Sequence, residues 1–220
     1  MEIMESKNKH VFWEALIIAI FIFAVGILLG YLMELNRTSK IISLYQNSEL
    51  NLLDIDIQEE LINLEDIGCK ELFSETVDFA NRVYDEAKIL DRYEGSTRLS
   101  DGIVLQHKKY DLLRAKLWVE AMQLKKKCNL NFTTIVYIYE YKPEEIRIKT
   151  LQGVFSKKLG EIKQEQVDRV ILIPLAGNLN LNSINILKES YNINSLPTIL
   201  IDNKIKIESL EELSKLETYF

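Results

Sequence analysis

The sequence predicts an α/β domain set behind one transmembrane helix and an antiparallel α-helical hairpin. Three observations carry this expectation. Ala15 to Met33, ALIIAIFIFAVGILLGYLM, is nineteen residues without a charge. From Arg37 to Lys127 apolar residues recur at helical spacing. After Asn131 the pattern changes to short β-branched and aromatic runs separated by short helical ones. Three segments follow: residues 1–35 as cytoplasmic tail and signal anchor, 36–130 as helical stalk and hairpin, and 131–220 as the α/β domain.

At about 1.5 Å rise per residue the uncharged stretch spans roughly 28 Å, near the ~30 Å hydrocarbon core of a bilayer. Trp13 and Tyr31 lie near its ends, where amphipathic rings favour the interface, so the span is placed at residues 13–34. A buried core helix seldom runs this far without a polar face. A cleavable signal peptide is the nearer competitor, but the apolar stretch is long for one and no A-x-A-like site follows it. Flanking charge does not orient the span. Lys7 and Lys9 precede it and Arg37 and Lys40 follow, a tie under the positive-inside rule.

Composition narrows the function classes. The net charge of −6 supplies no basic field for nucleic acid. Two cysteines with only His10 and His107 form no tetrahedral metal set of usable spacing. There is no phosphate-cradling glycine loop, dinucleotide fingerprint or Ser/His/Asp set, so neither cofactor nor catalytic residue is expected.

Within the helical middle, Leu50, Leu53, Ile57, Leu61 and Leu64 form an apolar seam. A helix from Cys69 to Tyr93 carries Phe73, Val77, Ala80, Tyr84 and Ala87 on one stripe, and Gly95-Ser96-Thr97 punctuates its end. A further helix from about Ile103 to Cys128 presents Tyr110, Leu113, Leu117, Ala121, Leu124 and Cys128. The charged residues on the remaining faces read as solvated surface. Two antiparallel helices of equal length bring the first residue of one beside the last of the other. Cys69 and Cys128 occupy those places and fall in register with the facing stripes, which is what a disulfide requires. Closing a loop of about 60 residues would stabilise the fold by roughly 4 kcal/mol on the chain-entropy estimate. The alternative is a pair of small buried thiols. A bridge would put the domain in an oxidising compartment, with the N-terminus cytoplasmic and the C-terminal domain outside.

In the C-terminal segment, Thr133–Tyr141 and Val167–Leu175 are predicted strands. Between them runs a helical stretch to about Gly160 with Leu151, Phe155 and Leu159 inward. Asn182–Tyr191 is a short helix with Ile184, Leu187 and Tyr191 inward. Strands Thr198–Ile201 and Ile205–Ile207 flank an Asp202-Asn203-Lys204 turn, and Ser209 and Glu212 form a capping box on the last helix. This order, with the stretch Tyr191-Asn192-Ile193-Asn194-Ser195-Leu196-Pro197-Thr198-Ile199-Leu200-Ile201, resembles the thioredoxin family around its cis-proline. The resemblance covers Thr133 to Phe220 and implies a thioredoxin-like fold with a cis Leu196–Pro197 bond. The whole arrangement is similar to a group of archaeal membrane-anchored thioredoxin-like proteins, some of which carry C-x-x-C after the first strand.

Here that place reads Tyr141-Lys142-Pro143-Glu144-Glu145, without a cysteine. Thiol–disulfide exchange needs a thiolate at this helix start. Glu144 and Glu145 instead read as first-turn acids that stabilise the helix. The sequence therefore points to a non-catalytic binding or scaffold module. Its partners would be the membrane and a protein, or a second copy, engaged through the helical region or through a groove beside Leu196 and Pro197. The alternatives are an oxidoreductase or isomerase using Cys69 and Cys128, and a domain kept for a purely structural role in an envelope complex.

Overall fold

A computed structural model describes residues 2–62, 68–94, 101–166 and 169–219. Leu64, the Gly95-Ser96-Thr97 punctuation and Val167 lie outside the described residues. Two units result, Met1–Leu44 and Tyr45–Phe220.

The first unit is helical, part of α1 (Glu2–Ile62). Within it Val11–Leu35 is long and apolar enough to cross a membrane, and its side chains are exposed throughout.

In the second unit the end of α1 is followed by α2 (Cys69–Glu94) and α3 (Asp101–Cys128). Then come β1 (Thr133–Tyr139), α4 (Ile146–Glu165), β2 (Val170–Ala176) and α5 (Asn182–Ser190). The chain ends with β3 (Thr198–Ile201), β4 (Ile205–Ile207), α6 (Leu210–Leu213) and a 3₁₀ turn at Leu216–Tyr219. The four strands form one mixed sheet in the order β2-β1-β3-β4. β1 and β2 are parallel, with Val136 opposite Ile173; β3 runs antiparallel to both β1 and β4.

Alternation along the strands sends every second residue to each face. On one face Ile135, Tyr137, Leu172 and Ile199 pack with Phe155, Leu159 and Ile162 of α4 and with Leu213 and Leu216. Their neighbours Val136, Ile138, Ile171 and Ile173 are buried too, because α3 lies against β1, β2 and α5. Both faces are covered, so the strands read as nearly continuous apolar runs.

Several boundaries shift for local reasons. β1 ends at Tyr139, two residues early, because Tyr141 pairs with a side chain and Lys142 (φ 53°) turns the chain. α4 continues past Gly160 to Glu165 because Ile162 extends its buried stripe. A turn in which Val170 donates to the Gln166 carbonyl delays β2 to Val170. The capping box forms as expected, with Glu212 N–H donating to Ser209 Oγ and Ser209 N–H to the Glu212 carboxylate.

One expectation about the helices is corrected. The charged side chains of α3 are not all solvated: Asp111 is 0% exposed, Glu120 1% and Arg114 3%. α3 meets α2, the sheet and α5 at once, which leaves it little solvated face. Among the described side chains of α1, Ile55 is buried while Leu50, Leu53 and Ile57 of the seam stay 65%, 63% and 58% exposed, and the Leu61 side chain lies outside those described. The Lys116–Asp56 ion pair at 3.0 Å ties this end of α1 to α3.

Candidate ligand-binding cleft

Cys69 and Cys128 are joined in a disulfide with Cα atoms 5.6 Å apart. Cys128 packs with Leu72, Leu124, Phe73 and Leu130, so the bridge belongs to the packing between α2 and α3.

Leu196–Pro197 is a cis peptide bond at the head of β3. Pro197 is buried and Leu196 half-buried, and the loop is held by Thr198 Oγ1 donating to the Ser195 carbonyl at 2.6 Å. Leu196 reaches over the end of β2. A Cβ on Gly177 would lie 2.8 Å from Ile138 Cγ2 and 3.0 Å from Leu196 Cδ1, so this close approach requires glycine.

Beside it, the β1–α4 turn is fastened by Asn178. Its carboxamide oxygen accepts from the Tyr141 N–H at 2.7 Å and its nitrogen donates to the Tyr141 carbonyl at 2.9 Å. The side chain thus does what a further residue of β2 would do for the ladder. Glu144 and Glu145 precede α4 and do not enter its first turn: Glu145 is the N-cap residue, makes no side-chain cap bond, and lies 3.5 Å from Arg147. No sulfur stands at this turn.

On the other side of β1 an open cleft of about 1000 Å³ is bounded by α2, α3, α4 and strand β2. Tyr84 and Lys88 of α2 form one wall and Gly153, Lys157 and Gly160 of α4 another, with Tyr139 and Pro174 between. Behind it lies a buried polar cluster that the sequence reading did not anticipate. His107 Nε2 is 3.1 Å from the Tyr139 hydroxyl and 3.3 Å from Asp111 Oδ2. Arg114 Nη1 donates to Asp111 Oδ1 at 3.1 Å and to the Pro174 carbonyl at 2.9 Å. Arg114 also lies over the Tyr110 ring, 4.2 Å from its centroid. The only hint in the sequence was the spacing: His107, Asp111 and Arg114 share one helical face at i, i+4 and i+7.

The electrostatics follow from this geometry. Burial lifts the Tyr110 hydroxyl well above its ordinary pKa, with the Arg114 charge opposing, and that hydroxyl donates to the Val83 carbonyl. Burial alone would lower the Arg114 pKa, but Tyr110 and Asp111 outweigh it and the guanidinium is held charged. What the cleft offers is therefore a fixed charge and aromatic surface. Among the described residues no group of His, Cys, Asp and Glu is arranged to hold a metal ion.

No protein-family model matches the chain, and no curated protein matches it.

Proposed function

We propose that the chain is a membrane-anchored thioredoxin-like binding module without thiol–disulfide chemistry, with its soluble unit on the oxidising, extracytoplasmic side. One observation carries this reading. At the ends of β1 and β2, beside the cis Leu196–Pro197 bond, the turn is fastened by Asn178 on the Tyr141 backbone and contains no thiol. The strand order β2-β1-β3-β4 and the position of the proline at the head of β3 support the fold assignment. Val11–Leu35 supports the anchor, and the Cys69–Cys128 bridge supports the sidedness, because such bonds persist in oxidising compartments. A protein held at a membrane by one span, with a cleft and with no thiol at the β1–α4 turn, is suited to capture rather than thiol–disulfide exchange.

The test uses the full-length protein in nanodiscs and in intact membranes. Insulin reduction should not rise above background, and non-reducing peptide mapping from membranes should recover Cys69 linked to Cys128. Reductase activity lost on Cys128→Ser would replace this reading with an oxidoreductase working through that pair. Free thiols in membrane-derived protein would remove the argument for the extracytoplasmic side.

A further inference from the structure

We propose that the cleft beside α4 binds a small planar aromatic anion. The inference rests on reading the soluble unit as a binding module and names the ligand class of that module.

The first observation is glycine inside a helix. Gly153 and Gly160 are seven residues apart on α4, hence on one face, and both line the cleft. A mid-helix glycine is normally unfavourable. Gly153 has no positive φ to require it, and a Cβ there would meet nothing within 4 Å. Neither turn nor packing explains it. What glycine provides at this place is room for a flat body to lie against the helix backbone.

The second observation is the aromatic character of the opposing surface. Tyr84 and Tyr139 are half-buried on the cleft wall, and Tyr139 is stacked on Tyr137 with centroids 5.6 Å apart. His107 lies against Tyr141 at 4.2 Å. Rings already arranged in offset pairs present further faces to a third ring.

The third observation is the sign of the rim. Lys88 lies over the Tyr84 ring at 4.3 Å, and Lys142 over the Tyr141 ring at 5.8 Å. Lys149 and Lys157 are exposed on the α4 side, and among the described residues no acid pairs with either. Against these four lysines the lining carboxylates are Glu140 and Glu161, and Glu161 is turned toward Lys158 at 4.0 Å. The balance favours an anion.

The fourth is unsatisfied hydrogen bonding in the wall. Gln152 Oε1 and Arg114 Nε are buried without a hydrogen-bond partner among the described residues, while Gln152 Nε2 is committed to the Glu140 carbonyl at 2.9 Å. Buried polar atoms are ordinarily paired. A carboxylate on the ring edge would accept from the Arg114 Nε–H.

The experiment is calorimetric titration of the full-length protein in phosphatidylcholine nanodiscs with three probes: naphthoate, naphthamide and cyclohexanecarboxylate. Naphthoate should bind at one site and about tenfold tighter than the uncharged amide or the non-planar acid. Gly153→Leu fills the open space above α4 with a better helix former, so it should abolish naphthoate binding while leaving the circular dichroism unchanged. Lys149→Gln with Lys157→Gln should bring naphthoate down to the amide. Equal binding of naphthoate and naphthamide, no naphthoate binding, or unchanged binding by Gly153→Leu overturns the inference. Loss of probe binding in a protein inert in insulin reduction overturns it alone; reductase activity with probe binding intact overturns only the reading it rests on.

Discussion

Trp118 Nε1 donates to Asn203 Oδ1 at 2.7 Å, joining α3 to the turn between β3 and β4 across 85 positions of sequence. Trp118 is fully buried and Tyr191 stacks on it at 5.3 Å, so the indole is enclosed and its one polar atom relies on the Asn203 acceptor. Asn203 sits at φ 59°, a conformation that asparagine and glycine tolerate better than other residues. Two effects therefore meet at one side chain. Asn203→Gly should remove the hydrogen bond alone, at about 1–3 kcal/mol for the stranded donor. Asn203→Ala should be worse by roughly a further 1 kcal/mol of backbone strain. Urea denaturation of the two variants checks the order, and an alanine variant as stable as the glycine one contradicts it.

The Asp111–Arg114 pair should behave as a buried ion pair. Asp111→Ala leaves the guanidinium uncompensated and should destabilise by about 3–5 kcal/mol. Replacing both residues with apolar ones of similar volume should be milder than either single change. A double-mutant cycle measures this directly. Additive losses would show that the two side chains do not act as a pair.

Glu120 gives the second unit a pH dependence. It is 1% exposed on α3, neither carboxylate oxygen has a hydrogen-bond partner among the described residues, and burial pushes its pKa up to about 8. Lys116 opposes that rise, and Asp54 and Asp56 add to it. The folded state therefore holds a proton that the unfolded chain releases near pH 4.5. The contribution to stability is fully present below pH 4.5 and is lost as pH rises through about 8. Glu120→Gln removes the ionisation, so it should stabilise by about 1–3 kcal/mol at pH 8.5 and by little at pH 4.5. Parallel unfolding curves for both proteins at the two pH values test it; an equal difference at each pH would contradict the assignment.

Removing the disulfide should be felt mainly through the unfolded chain. Cys69→Ser with Cys128→Ser frees a loop with a sequence separation of 59. The loss expected is about 4 kcal/mol, less whatever structure the open chain retains. Melting with and without reductant should reproduce the same difference in the parent protein.

What the sequence made legible was whatever repeats locally. The uncharged span, the alternation of strand and helix after Asn131, and the register of Cys69 with Cys128 each follow from spacing within one or two elements. The polar cluster was not legible for the opposite reason. His107, Asp111 and Arg114 look like solvated charge on an amphipathic helix until Tyr139 and Pro174 arrive from 32 and 60 positions away. The orientation of α1 was hidden similarly. Leu50, Leu53 and Ile57 make the stronger apolar pattern, yet Ile55 is buried, beside the Asp56 that pairs with Lys116 of α3. Gly153 reads as a weak helix position in sequence and acquires meaning only once the cleft beside it is seen.

Pro174 has a consequence for how copies of this protein meet when they are held close together. It stands in an outer strand of the sheet, where it has no N–H to offer a newcomer, and Arg114 already occupies its carbonyl. The opposite border is β4, only three residues long. Tethering to a surface raises the effective concentration of neighbouring domains, which is the condition under which unguarded strands join edge to edge. With one border blocked and the other too short to template a ladder, crowded copies can meet without merging their sheets.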